Sequence, residues 1–210
     1  MKRGMCITYE VDGALYINLT NRCSNNCEFC IRKNGDGAYG SASLWLLREP
    51  SAEETLASVF ARDVLSYREI VFCGYGEPTE RLDVLREVAL GIKEKFPSVR
   101  IRVNTNGHSD LINGRDTTAD FRGAVDAVSI SLNTPNPEKY VAICHPVYKR
   151  KAFFALIDFA KRVKNTVPEV LFSVVRETLS EEELSQCERI AAEAGVTLRI
   201  RDYISAEEDK

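Results

Sequence analysis

Between Cys23 and Cys30 the chain reads Cys-Ser-Asn-Asn-Cys-Glu-Phe-Cys, three thiols in a C-x3-C-x2-C spacing with an aromatic residue directly before the third. Neither regular element brings such a set onto one object, because a strand alternates its side chains and a helix fans them. The segment is expected to be a loop wrapped around a single object, and an iron–sulfur cluster is the object that collects several cysteine thiolates. Three ligands instead of four leave one iron of a [4Fe–4S] cube without a protein ligand. The plain competitors are a patch of reactive thiols and a structural zinc site, but zinc wants four ligands and paired C-x2-C units.

The other cysteines, Cys6, Cys73, Cys144 and Cys187, are dispersed, and no spacing joins them into a second metal site; each is read as a small buried apolar residue. An odd total of seven and no export signal argue for a reducing compartment instead of a disulfide framework. In the opening Met1-Lys2-Arg3-Gly4-Met5-Cys6 the basic residues are followed too soon by Glu10 and Asp12 to make a leader. With no run near the roughly 18 apolar residues of a membrane span, the chain is expected to be soluble and cytoplasmic. Its 28 basic and 31 acidic residues leave a net charge of −3, which excludes nucleic-acid binding by bulk charge while leaving a local phosphate patch open. At 210 residues a single domain over 1–210 is expected.

Read in order, Ile7 to Val11 and Ala14 to Leu19 form a hairpin over Asp12-Gly13, a dipeptide suited to a type I′ turn. Leu15, Ile17 and Leu19 share one face of the second strand, and Tyr16, Asn18 and Thr20 the other. The hairpin and first core strand occupy residues 1–20, the cysteine loop and a Gly-rich segment 21–50, where Leu44 to Leu47 is an unassigned apolar patch. Ser51 with Glu54 and Ser180 with Glu183 are capping boxes that start helices, and Gly195 ends the second of them. Strands are predicted at Ile70–Cys73, Val99–Val103, Val128–Asn133, Val170–Val175 and Val196–Ile200, with helical periodicity between them. Alternation roughly every 30 residues predicts parallel strands joined by right-handed crossovers. The fold class is α/β, a partial (β/α)6 TIM-like barrel with an N-terminal β-hairpin; a flat doubly wound sheet is the alternative.

Sites in parallel α/β proteins form past the carboxyl ends of the strands, and the informative stretches fall there. The cysteine loop follows the first core strand, Gly74-Tyr75-Gly76-Glu77-Pro78 the second, Asn104-Thr105-Asn106-Gly107 the third, and Ser131-Leu132-Asn133 ends the fourth. His108 and His145 lie near strand ends or loops and are read as structural or surface residues, with proton transfer as the alternative. Lys149-Arg150-Lys151 reads as a solvated face, with an anion site as its alternative. Arg176, Arg199 and Arg201 lie on or after the last two strands, where a carboxylate or phosphate could dock.

The cysteine loop with Phe29 before Cys30, coupled to the Gly-Gly-Glu-like turn at Gly74 to Glu77, resembles the radical S-adenosylmethionine (SAM) superfamily over nearly the whole chain. The short hairpin and the Leu19-Thr20-Asn21-Arg22-Cys23 approach are most similar to the TatD-associated radical SAM group. The resemblance implies Cys23, Cys27 and Cys30 as ligands of a [4Fe–4S] cluster whose open iron chelates SAM. Reductive cleavage would then yield a 5′-deoxyadenosyl radical that abstracts hydrogen from a substrate the sequence does not identify. It also implies Phe29 near the adenine, and the turn Gly74, Tyr75, Gly76, Glu77 on the methionyl amino group through carbonyls and a carboxylate. Asn104, Asn106, Ser131 and Asn133 are implied against the ribose and carboxylate. Tyr75 departs from the family's Gly-Gly-Glu and leaves the role of each glycine open. The family also implies an electron donor such as flavodoxin or ferredoxin, and the narrower likeness a functional link to a TatD-type hydrolase. Two alternatives stand beside this reading: a glycyl-radical-enzyme activase, and a non-catalytic iron–sulfur electron-transfer module.

Overall fold

Asp12 and Gly13 take φ values of 48° and 72°, the paired left-handed conformations of a type I′ turn, and join β1 (Thr8–Val11) to β2 (Ala14–Ile17). The computed structural model describes residues 3–202; Met1, Lys2 and residues 203–210 of the expected single domain lie outside the described residues. After the hairpin come α1 (Ala52–Phe60), β3 (Ile70–Phe72), α2 (Leu82–Lys95), β4 (Ile101–Thr105), α3 (Ser109–Asn113) and β5 (Ala127–Ser131). The chain continues through α4 (Pro137–Cys144), α5 (Arg150–Val163), β6 (Glu169–Val175), α6 (Glu181–Ala194) and β7 (Thr197–Arg201). Both expected capping boxes form, Ser51 with Glu54 and Ser180 with Glu183. Asn136 caps α4 with Pro137 at its first turn. Gly195 ends α6 at φ 70°.

The sheet runs β1 to β7 in strict sequence order, antiparallel between β1 and β2 and parallel from β2 onward. A doubly wound sheet reverses its strand order at a switch point; the unbroken order here rules that alternative out. Right-handed crossovers between successive neighbours carry the helices to one face. On that face Leu15, Ile17, Ile70, Phe72, Ile101, Val103, Val128, Ile130, Phe172 and Val174 join one buried apolar cluster with the inward sides of α1, α2, α5 and α6.

The opposite face is polar. Register places Tyr16, Val71, Arg102 and Ala127 in one row across β2 to β5, and Asn104, Ser129 and Leu171 in the row above it. Ser131, Ser173 and Arg199 form the row above that, across β5 to β7. The sheet also curls, because Cys73, just past β3, and Tyr16 on β2 both lie within electrostatic range of Arg201 on β7. In a flat sheet β3 and β7, four strand spacings apart, would be separated by roughly 19 Å. The result is the open partial barrel expected.

A smaller apolar cluster, Tyr9, Val11, Ala38, Leu44 and Tyr75 with Trp45 against it, holds the Gly-rich segment. This places the unassigned patch: Leu44 and Leu46 are buried, Leu47 is exposed, and Leu46 bridges to Gly4. The β4 boundary moves from the expected 99–103 to 101–105, because Val99 still closes the turn after α2 by donating to Phe96, while Asn104 and Thr105 pair with Ser129 and Ile130. Among the described residues no helix is long and apolar enough to cross a membrane.

Candidate functional site

The loop carrying Cys23, Cys27 and Cys30 is fastened along its length. Asn26 and Glu28 donate their backbone N–H groups to the carbonyls of Cys144 and Ile143 at the end of α4, each at 2.9 Å, and Val147 donates to the Ser24 carbonyl at 2.9 Å. Glu77 N–H reaches the Arg22 carbonyl at 2.7 Å. Arg32 clamps the loop from within, donating to the Asn25 carbonyl and to Asn26 Oδ1. The loop is thus framed before any ligand arrives.

All three thiols are free and half-buried. Burial pushes Cys23 up to about 12 and raises Cys30; Cys27 is raised by its hydrogen bond with Cys144 and by burial. Without a metal these groups are protonated thiols, and among the described residues no three metal-ligating side chains already converge as a closed set. Convergence and proton release accompany metal binding in sites of this chemistry. Three soft sulfur donors on a pinned loop match the ligand demand of an iron–sulfur cluster, so the residues present fit the group.

Glu77 sits next to this frame, 3 % exposed. Its Oε1 accepts from Thr79 N at 3.1 Å, Thr79 Oγ1 at 2.8 Å and Thr105 Oγ1 at 2.7 Å, and its Oε2 from Asn106 N at 2.7 Å. Three donors crowd Oε1 and one reaches Oε2, which keeps a further acceptor position. Besides any ligand it meets, the side chain organises the protein, tying the turn to Thr79, Thr105 and Asn106. The two glycines also acquire definite roles. A Cβ on Gly74 would lie 2.2 Å from Asn18 Oδ1, and one on Gly76 would lie 2.3 Å from the Thr20 carbonyl oxygen and 2.6 Å from that of Arg22. Each glycine admits the strand and loop that lead to the cysteines.

Tyr75, the departure from the family pattern, is 3 % exposed in the smaller cluster. Its hydroxyl donates to the carbonyls of Gly35 at 3.1 Å and Gly37 at 2.8 Å, and its ring meets Trp45 edge-on at 5.2 Å. The aromatic side chain anchors the Gly-rich segment, so the expected ligand role is left to its backbone.

Asn106 is brought to the cysteine loop: its Nδ2 donates to Ser24 Oγ at 2.8 Å and lies 3.9 Å from Cys23 Sγ. Asn104, expected beside it, is held deeper on the polar face, its Oδ1 accepting from Arg102 Nη1 at 2.8 Å. Asn133 adopts φ 62° at the end of β5, a conformation Asn tolerates, and donates to Cys144 Sγ at 3.4 Å. Ser131 stands on the polar face with no side-chain hydrogen bond among the described residues. Phe29 borders a cavity of about 360 Å³ together with Glu28, Lys139, Ile143 and Thr178.

One participant escaped sequence reasoning, and one reading of a histidine held. Cys144, read as an apolar filler, touches Cys27 and Asn133 and ties α4 to the cysteine loop; no spacing signals it. His108 is fully buried, with Nδ1 3.1 Å from Ser24 Oγ and Nε2 3.3 Å from Tyr140 OH. Burial lowers it to about 4, so it is a neutral structural residue beneath the loop. His145 is exposed and meets Glu28 Oε1 at 3.3 Å. Lys149-Arg150-Lys151 is the solvated face expected, with Arg150 paired to Glu138 at 2.7 Å.

Comparison with known proteins agrees with this construction. The family model described as the radical SAM superfamily matches residues 17–189. The GTP 3′,8-cyclase of Aquifex aeolicus is 26 % identical over 190 residues, 90 % of this chain and 56 % of that one. A probable dual-specificity RNA methyltransferase RlmN 1 of Protochlamydia amoebophila is 23 % identical over 184 residues, 79 % of this chain and 46 % of that one. The chain thus spans about half the length of the curated relatives it matches. Among solved structures, a radical SAM methyltransferase from Sphaerobacter thermophilus superposes with a TM-score of 0.60 at 18 % identity, over 95 % of this chain and 70 % of that one. The chain belongs to the radical SAM superfamily, whose members bind a [4Fe–4S] cluster and S-adenosylmethionine.

Proposed function

We propose that this chain is a catalytic radical SAM core in which Cys23, Cys27 and Cys30 hold the cluster and the polar face of the barrel receives the substrate. The observation that carries the reading is the meeting of the cysteine loop, the Gly74–Glu77 turn and Asn106 at one end of a sheet whose unhelical face is hydrophilic. When bound, the cluster and SAM supply the 5′-deoxyadenosyl radical that abstracts hydrogen from the substrate.

The chain's own residues then position and enclose. The carbonyls of Gly74, Tyr75 and Gly76 meet the methionyl amino group. Glu77 holds the turn against Thr105 and Asn106, and Asn106 steadies Ser24 beside the first ligand. Phe29 borders the adenine, and Ser131 and Asn133 lie toward the ribose and carboxylate, with Asn104 behind them. A small flavodoxin or ferredoxin delivers the electron. The narrower likeness to the TatD-associated group, carried by the hairpin and the Leu19-to-Cys23 approach, adds a cytoplasmic TatD-type hydrolase as functional neighbour. An electron-transfer module would have no use for the hydrophilic barrel face, which is why the catalytic reading is preferred.

Anaerobic reconstitution tests it. The wild type should bind about four irons per chain and, with a reductant, form 5′-deoxyadenosine from SAM. Substituting Ala at Cys23, Cys27 or Cys30 should abolish both, whereas Cys187→Ala should leave both intact. Full iron loading with no SAM turnover across reductants and candidate substrates would sink the catalytic reading.

A further inference from the structure

On the polar face the charges do not balance. Arg102 is neutralised on the spot: its Nε and Nη2 donate to the two oxygens of Glu69 at 3.1 and 2.8 Å. Arg199 and Arg201, two residues apart on β7, fall on that same face, opposite Ser173 and Val175 of β6. Neither has a carboxylate partner among the described residues. Arg201 is the sharper case, because its Nε is buried and makes no hydrogen bond among the described residues. Its neighbours across the curl, Cys73, Tyr16 and Tyr39, are groups that are neutral when protonated.

A buried guanidinium donor left unpaired costs of the order of 1–3 kcal/mol, more for a charged group. Arg201 is partly buried and Arg199 exposed, and a guanidinium with an unpaired buried Nε beside hydroxyls suits a planar or tetrahedral oxyanion, which takes two parallel N–H bonds from the fork. The row Ser131, Ser173, Arg199 supplies hydroxyl donors leading up to that fork. It also runs from β5, the strand assigned to the cofactor, to β7, two strand spacings or roughly 10 Å away.

From this we infer that the substrate of the enzyme is an anion, whose carboxylate or phosphate group docks on Arg201, with Arg199 and Ser173 beside it. The anchor fixes one end of the substrate while the other end is presented for hydrogen abstraction. The inference rests on the proposed function in taking the polar face as the substrate chamber and β5 as a cofactor-bearing strand.

The test uses the reconstituted enzyme saturated with SAM, labelled with ¹⁵N at arginine Nε, and titrated with inorganic phosphate and with succinate. At least one probe should move the Arg201 Nε–H resonance saturably, and the stronger of the two identifies phosphate or carboxylate as the group. Calorimetric affinity for that probe should fall about tenfold or more in Arg201→Gln, the loss of one charge-assisted pair. It should fall less in Arg201→Lys, which keeps the charge without the fork and serves if the Gln variant does not fold. Arg176→Gln, removing an exposed arginine paired with Glu181 at 3.1 Å, should bind like wild type. Equal binding by wild type and both Arg201 variants would overturn the inference, as would a resonance moved by SAM alone and then closed to both probes. Loss of anion binding in Arg201→Gln with no 5′-deoxyadenosine from any variant would instead count against the proposed function alone.

Discussion

The backbone N–H of Asn106 donates to Oε2 of Glu77 across 2.7 Å, so one buried carboxylate joins the turn after β3 to the end of β4. Since Asn106 also donates to Ser24, three successive strand ends are coupled through two residues. Order at the cysteine loop therefore depends on a side chain that does not touch it.

Glu77→Gln tests that dependence. The amide presents donors where Thr79, Thr105 and Asn106 already donate, leaving at least one buried N–H or O–H unpaired. A loss of about 1–3 kcal/mol in unfolding free energy is expected, read from the urea midpoint with the slope unchanged. Iron content after reconstitution should fall with it. A variant as stable as wild type and fully loaded with iron would remove Glu77 from this role.

Gly76→Ala puts a methyl group 2.3 Å from the Thr20 carbonyl oxygen and 2.6 Å from that of Arg22. Both obstacles are backbone, so the chain leading into Cys23 must move. Iron binding should drop several-fold relative to Gly35→Ala, where the nearest atom is 3.7 Å away. The two iron-to-protein ratios, measured side by side, decide the matter.

Tyr75→Phe keeps the ring in its cluster and deletes the donor to Gly35 and Gly37. About 1 kcal/mol of stability should be lost. The more specific consequence is faster amide hydrogen exchange in residues 35–42, with exchange in β4 and β5 unaltered.

His108 gives the chain an acid-sensitive component. Folding lowers it from its ordinary 6.5 to about 4, so between these values the unfolded chain binds a proton that the folded chain refuses. This contribution is fully present above pH 6.5 and is lost as pH falls toward 4, by roughly 2 kcal/mol at pH 5 and roughly 3 in total. Urea unfolding at pH 7.5 and pH 5 should show that excess loss in wild type relative to His108→Gln. Parallel losses in the two proteins would show that the ring titrates normally.

Much of this was legible in the chain itself, and the reasons are local. Asp12-Gly13, the two Ser/Glu capping boxes and Gly195 act over three or four residues, and each appears as its chemistry dictates. Alternation predicted parallel strands, while the observed order decided between barrel and doubly wound sheet. What could not be read depends on distances that close through space. Glu77 carries the signature of a ligand, but the donors it also accepts, from Thr79, Thr105 and Asn106, the last two about 28 residues away, leave no local signal. Tyr75 interrupts a motif for the sake of a segment 38 to 40 residues earlier. Cys144 reaches Cys27 only because α4 ends against the cysteine loop. Asn104 and Thr105 read as turn residues because their composition hides the strand pairing that holds them.

The two-sided sheet has a consequence for how such a protein changes over generations. The apolar core lies on the helix-covered face, while the other face carries hydroxyls and guanidinium groups, some of them exposed. Substitutions at an exposed position of that face such as Arg199 therefore draw little on the narrow margin that keeps a chain folded. New specificities can be sampled there one residue at a time, with the scaffold and the cysteine loop untouched. A cyclase and RNA methyltransferase relatives at 23–29 % identity are what such latitude would produce.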